Sequence, residues 1–128
     1  MRFACLAAAP LLLLAAPASA TQGFACRTIA PEGVNLTIVI GTGIGGGLVG
    51  ATLRDGERLL STFGEDRRLV TGQSWVDDRA LLLDLLSADG SRRVARLRVG
   101  LGGALESRNL TGTLDYGGRI SRIVCRPD

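Results

Sequence analysis

The chain has 128 residues, 46% of them apolar, with 15 basic and 12 acidic side chains and no histidine, for a formal charge of +3. Every basic residue is an arginine. So small an excess, interleaved with Asp and Glu, excludes the basic stripe of a nucleic-acid binder, and the lack of His and Lys removes the usual general bases and Schiff-base nucleophiles.

Residues 1–20 read as a cleavable signal peptide: Arg2 opens it, Leu11 to Leu14 form a short apolar run, and Ala18-Ser19-Ala20 is a small-residue cleavage site. The run is too short to anchor in a bilayer, and nothing later approaches about 18 consecutive apolar residues. Cleavage leaves residues 21–128 as one domain. Cys5 departs with the signal, and the remaining pair, Cys26 and Cys125, reads as a disulfide in an oxidising compartment. Cross-linking positions so far apart is worth on the order of 4 to 5 kcal/mol in the chain-entropy model. A composition rich in Ala, Gly and Leu with arginine as the only base points to a GC-rich bacterial genome, hence a periplasmic or secreted protein.

After Cys26 the chain falls into short runs of period two separated by turn residues. Val34, Leu36, Ile38 and Ile40 alternate with Asn35, Thr37 and Val39, a half-buried strand. The glycine-rich loop Gly41 to Gly47 follows. Its Gly41-Thr42-Gly43-Ile44-Gly45-Gly46 satisfies G-x-G-x-x-G and locally resembles the fingerprint of FAD- and NAD-binding Rossmann domains, with Glu65 near the distance of a ribose-binding acid. That resemblance implies a helix after Gly47 and a bound dinucleotide. The remainder of the chain is hairpin after hairpin, which makes antiparallel neighbours only, so the expectation is a loop between antiparallel strands and no cofactor.

Val49, Ala51 and Leu53 then face one way, and a three-residue loop at Arg54-Asp55-Gly56 would set Val49 opposite Ser61 and Ala51 opposite Leu59, with Leu59, Ser61 and Phe63 inward. Gly64-Glu65-Asp66 turns the chain again. From Arg67 to Val76 the inward face is ambiguous: Leu69, Thr71, Gln73 and Trp75 compete with Val70, Gly72, Ser74 and Val76. Asp77-Asp78 makes the next turn. Arg79 to Ser87 has the length and leucine content of a helix, but its neighbour favours a strand. A three-residue loop, Ala88-Asp89-Gly90 with Gly90 left-handed, pairs Leu83 with Ala95 and Leu81 with Leu97, and places Asp84, Arg96 and Arg98 on the opposite face. Val99 to Ala104 leads through glycines to a last hairpin. There Leu110, Gly112 and Leu114 alternate with Thr111, Thr113 and Asp115, Gly117-Gly118 turns, and Arg119 to Cys125 returns.

Eight or nine short strands joined this way predict an all-β fold: an antiparallel up-and-down meander closing into a small barrel or a strongly curled sheet. A bond from the first strand to the last argues for closure, since an open meander would hold those strands at opposite edges. The expected inward set is Leu36, Ile38, Ile40, Val49, Leu53, Leu59, Phe63, Leu81, Leu83, Leu97, Val99, Leu114 and Ile123.

Thr71-Gly72-Gln73-Ser74-Trp75 resembles the Ser-Gly-x-x-Tyr loop of the bacterial periplasmic inhibitors of C-type lysozyme, which are small antiparallel barrels stapled near their termini. Gly72 and Trp75 stand for the Gly and the aromatic, and Thr71 for the Ser. The Lys-Gly element of that family has no counterpart in a chain without Lys. The resemblance implies an inhibitor-like partner surface.

The expected function is a non-catalytic, exported binding or protein-interaction module. Its candidate rim is Thr71, Gly72, Trp75, Asp77 and Asp78, facing an envelope or secreted protein, with no metal and no cofactor. Trp75 as a core residue is the competing reading. Alternatives for the whole protein are a carrier of a small apolar ligand, and an envelope accessory protein or an enzyme working without His and Lys.

Overall fold

Alternation with period two runs through the described strands, interrupted by register shifts in three of their pairings. The computed structural model describes residues 21–29, 33–41, 47–77, 79–100 and 109–128. The expected signal peptide, most of the glycine-rich loop, Asp78 and residues 101–108 lie outside the described residues. Nine strands run in chain order: β1 Thr21–Thr28, β2 Val34–Gly41, β3 Leu48–Asp55, β4 Arg58–Ser61, β5 Leu69–Val76, β6 Ala80–Ser87, β7 Arg93–Gly100, β8 Leu110–Tyr116 and β9 Arg119–Pro127. Among the described residues there is no helix, and so none long and apolar enough to cross a membrane.

The strands form one sheet in the order β4-β3-β2-β1-β9-β8-β7-β6-β5, every pair antiparallel, curled into a nearly closed barrel. The first and last strands are neighbours. Cys26 faces Cys125 across that ladder with the Cα atoms 3.9 Å apart, and the two sulfurs are bonded. Both cysteines are buried in the core.

The gap in the ring lies between β4 and β5. Eight antiparallel steps leave these two strands running in the same sense, so they cannot continue the antiparallel ladder. Contact across the gap includes one backbone hydrogen bond, Arg68 N to Ser61 O at 3.1 Å. Thr62 prolongs the β3–β4 pairing past the end of the short β4, donating its N–H to Ala51 O at 3.0 Å and accepting from Ala51 N at its Oγ1, also at 3.0 Å.

Inside the barrel a single cluster joins Phe24, Leu36, Ile38, Leu53, Leu69, Leu81, Leu83, Leu85, Leu97, Leu110, Leu114 and Ile123. The strand expected within Arg79 to Ser87 is present as β6, and so is the terminal hairpin: Gly117 and Gly118 take φ of 63° and 76° and close a two-residue turn that sets Leu110 against Cys125. Gly112 faces inward where β7 crosses closely. A Cβ there would collide with the Arg98 carbonyl and the Val99 Cα.

Four expectations need correction, and each traces to an inserted or a missing residue. The β3–β4 turn is Gly56-Glu57, not Arg54-Asp55-Gly56, so Leu53 pairs with Leu60 and Arg54 with Leu59. Leu60 is therefore the buried residue, while Leu59 is 48% and Phe63 45% exposed. The ring of Phe63 lies instead against the outer face at Gly50, where it occupies the place of a Cβ. Val49 is the extra residue of a bulge opposite Val39 and Ile40, and points outward at 53% exposure. The β6–β7 loop runs from Ala88 to Arg92, which moves the register by two: Leu83 faces Leu97 and Leu85 faces Ala95. A shift of two preserves the inward face.

The ambiguous strand proves to be both of its readings. Thr71 pairs with Leu85 but Ser74 with Leu83, so one extra residue sits at Gly72-Gln73. Before that bulge Leu69 and Thr71 share the inner side; after it Ser74 and Val76 do, which turns Trp75 out.

After Gly41, the last residue of β2, the chain resumes as the antiparallel strand β3. The Gly41 N–H donates to Gly47 O at 2.8 Å, closing the glycine-rich loop at its base. The helix that a dinucleotide fold would place from Gly47 to Leu53 is absent.

Candidate functional site

Trp75 stands 61% exposed on the outer face of β5, directly opposite Leu82. The β5–β6 turn orients it. Indole Nε1 donates to Asp77 Oδ2 at 2.9 Å, while Asp77 Oδ1 accepts from Arg79 N at 2.7 Å and Ala80 N at 2.8 Å. Asp77 N also donates to Ala80 O at 3.1 Å. One carboxylate thus closes the hairpin and holds the indole. The Trp75 hydrogen bond, followed by the two amides, keeps the Asp77 carboxyl below the usual carboxylate range.

The expected rim is only partly one surface. Trp75 and Asp77 touch. Gly72 belongs to the bulge, where a Cβ would approach Leu86 Cγ to 3.0 Å and Asp84 O to 3.2 Å. Thr71 lies beyond it on the opposite face from Trp75, sharing a side with Leu85. Asp78 falls outside the described residues.

Next to Trp75 and Leu82, the outer face of β6 and β7 carries a charged cluster. Asp84 faces Arg96 directly and binds it through two bonds of 3.0 Å, Nε to Oδ1 and Nη2 to Oδ2. Arg98 Nη2 reaches Asp84 Oδ1 at 3.0 Å, and its Nη1 donates to Leu97 O at 2.7 Å. The Arg96 hydrogen bonds lead in lowering the Asp84 pKa, against the opposing effect of burial. Arg93 pairs more loosely with Asp115 at 3.4 Å, and Arg92 lies in the β6–β7 loop.

A second set of side chains converges at the other end of the barrel. Asp55 follows the buried Leu53 by two residues, Tyr116 follows Leu114, and Ser121 and Arg119 precede Ile123 by two and four, so all four share the inner side. With Thr28 and Val34 they line a pocket of about 340 Å³ at the mouth. Tyr116 Oη donates to Asp55 Oδ2 at 3.2 Å. That bond joins β3 to β8 straight across the opening, while the wall between them takes four ladder steps. Burial first, then the hydrogen bond to Asp55, pushes the phenol pKa up. Thr28 Oγ1 is buried and accepts from Val34 N at 3.1 Å.

Sequence reasoning missed this mouth. The same alternation that placed Leu114 and Ile123 inward also places Tyr116, Ser121 and Arg119 there, but polar residues near a turn read as outward by default.

Among the described residues no three acidic or sulfur side chains gather to hold a metal ion. The geometry is that of surfaces and a pocket. No family model, curated protein or solved structure matches the chain.

Proposed function

We propose that the protein is a non-catalytic, exported binding module whose contact with an envelope or secreted protein centres on Trp75. The observation that carries this reading is the presentation of Trp75: a large aromatic side chain 61% exposed, yet fixed in direction by its bond to Asp77. A rigid aromatic loses little conformational freedom on binding, and such residues dominate the energetics of protein interfaces. Leu82 beside it and the Arg96–Asp84–Arg98 cluster beyond supply an apolar margin and a polar rim. The disulfide and the signal-like first residues support an oxidising compartment. A carrier of apolar ligands is less well supported, because the inward aliphatic side chains pack into one cluster.

Trp75 is the sole tryptophan, so its emission reports on this surface alone. Trp75→Ala is expected to unfold within about 1 kcal/mol of the wild type, since the side chain contributes little buried area. It should also weaken an envelope partner captured by the wild type by about 2 kcal/mol, or about thirtyfold. Leu83→Ala, by contrast, should cost about 2 to 5 kcal/mol of stability. A Trp75→Ala protein that loses stability as Leu83→Ala does, or that holds the same partner as tightly as the wild type, would reject the assignment.

A further inference from the structure

Charges that are interleaved along the sequence are sorted in space. Strands β1, β2 and β9 contain no acidic residue, and they lie side by side in the sheet. Cys26 and Cys125 point inward, so Arg27 on β1 and Arg122 and Arg126 on β9 point outward, and all three are exposed. Arg27 faces Val124, with Arg122 and Arg126 as its diagonal neighbours about 7 to 8 Å away. On its other side Arg27 faces Asn35, and Asn35 faces the exposed Arg54 of β3. None of these four arginines has an ion pair among the described residues. Together they exceed the +3 of the whole chain, so no basic excess is left elsewhere. Of the acids bordering this face, Asp128 lies over Gly23 and Asp115 pairs with Arg93. Like charges set side by side on a sheet repel, and a counter-charge from outside would relieve them.

Two apolar side chains complete the surface. Ile29 continues β1 beside Arg122, donating its N–H to Arg122 O at 2.9 Å, and Ile120 precedes Arg122 by two positions on β9. They are 46% and 75% exposed. Between Arg27 and Arg126 the small Ala25 leaves a depression of about 480 Å³, with Asn35 and Thr37 on its β2 side. Guanidinium donors around such a depression suit phosphate oxygens.

We infer that the outer face of β1 and β9 docks on an anionic phospholipid bilayer. The arginines meet headgroup phosphates, and Ile29 and Ile120 dip into the boundary of the acyl chains. A soluble polyanion would need the arginines alone, so the exposed aliphatic pair beside them favours a bilayer. In the ring β1 and β9 stand fourth and fifth of nine, half-way round from the β4–β5 gap. Trp75, at the edge of that gap, therefore points away from the membrane and stays open to a partner. Docking does not depend on what Trp75 binds.

The test is co-sedimentation of the oxidised protein with vesicles of phosphatidylglycerol and phosphatidylethanolamine, against vesicles of phosphatidylcholine, with dextran sulfate as a soluble polyanion. The anionic vesicles should bind at least about tenfold more tightly than the neutral ones. Binding should weaken as salt rises from about 0.05 to 0.5 M, and Trp75 emission should stay where it is. Arg27→Gln/Arg122→Gln/Arg126→Gln should weaken binding about a hundredfold, at about fivefold per arginine, and Ile29→Ser/Ile120→Ser about tenfold. Arg67→Gln/Arg68→Gln/Arg92→Gln, which removes the same charge from loops elsewhere, should bind as the wild type does. The proposal is overturned if the anionic vesicles are not bound at the lower salt, if neutral vesicles bind equally, or if the two arginine triples weaken alike. It also falls if Trp75 emission shifts to the blue on binding. Binding of dextran sulfate together with full vesicle affinity in the isoleucine variant would make the partner a soluble polyanion and overturn it too. The vesicle comparison and the Trp75 emission, both on unaltered protein, decide the matter even if a variant fails to fold.

Discussion

Asp84 is the one carboxylate among the described residues with little contact with water, at 6% exposure, and it sits on the outside of the barrel. Two arginine side chains lie over it, turning what would be a solvated strand face into a closed ion cluster. Because Arg96 holds the carboxyl ionised in the folded state, the cluster stabilises the protein fully above the unfolded value near about pH 4. That stabilisation is lost as the pH falls through the lower folded value. The arginine partners are 39% and 32% exposed, so screening limits the contribution to about 1 to 2 kcal/mol. Denaturant unfolding at pH 7 and at pH 3 should show Asp84→Asn losing that amount at the higher pH and less at the lower. An equal loss at both values would assign the effect to packing instead of charge.

At the scale of the strand, β5 shows how one inserted residue hides a pattern. Its bulge at Gly72-Gln73 swaps the inward set midway, so neither period-two reading of the whole run could be right, yet each holds over half of it. Deleting Gln73 regularises the ladder, with Gly72 opposite Asp84, and leaves Ser74, Trp75 and Val76 on their present partners. The variant should fold with Trp75 emission unchanged and a loss on the order of 1 kcal/mol from the altered curl of the strand. Emission shifted to the blue, marking a buried indole, would contradict this register. The terminal hairpin was legible because Gly117-Gly118 sets its register and no insertion interrupts the ladder from Leu110 to Tyr116. The face of β4 was not, since a three-residue turn at Arg54-Asp55-Gly56 and the two-residue turn at Gly56-Glu57 give opposite parities to every side chain that follows. The Trp75 surface could be located from the aromatic and the turn acid. The mouth needed the inner parity of Tyr116 and Arg119, which charge and polarity alone conceal.

For the molecule as a whole, the ring opens between two strands that are consecutive in the chain and closes between the two that are farthest apart. The ends of the sheet adjoin: Asp128 N donates to Gly23 O at 2.9 Å. A circular permutant of residues 21–128, with a short linker from Asp128 to Thr21 and new ends between Gly64 and Glu65, would therefore have its strands in the same order in sequence and in space. The β1–β9 ladder, now the long-range pairing of the fold, would become a local hairpin, and lower contact order predicts faster folding in stopped-flow refolding of the reduced proteins. The cross-link would lose leverage at the same time. Cys26 and Cys125 are separated by 99 positions in the natural order but by roughly a tenth of that in the permutant, so reducing the bond should cost the permutant about 2 kcal/mol less. The place of the gap thus makes the natural chain order a kinetic burden that the disulfide offsets, and an uncross-linked permutant should reach the same barrel sooner.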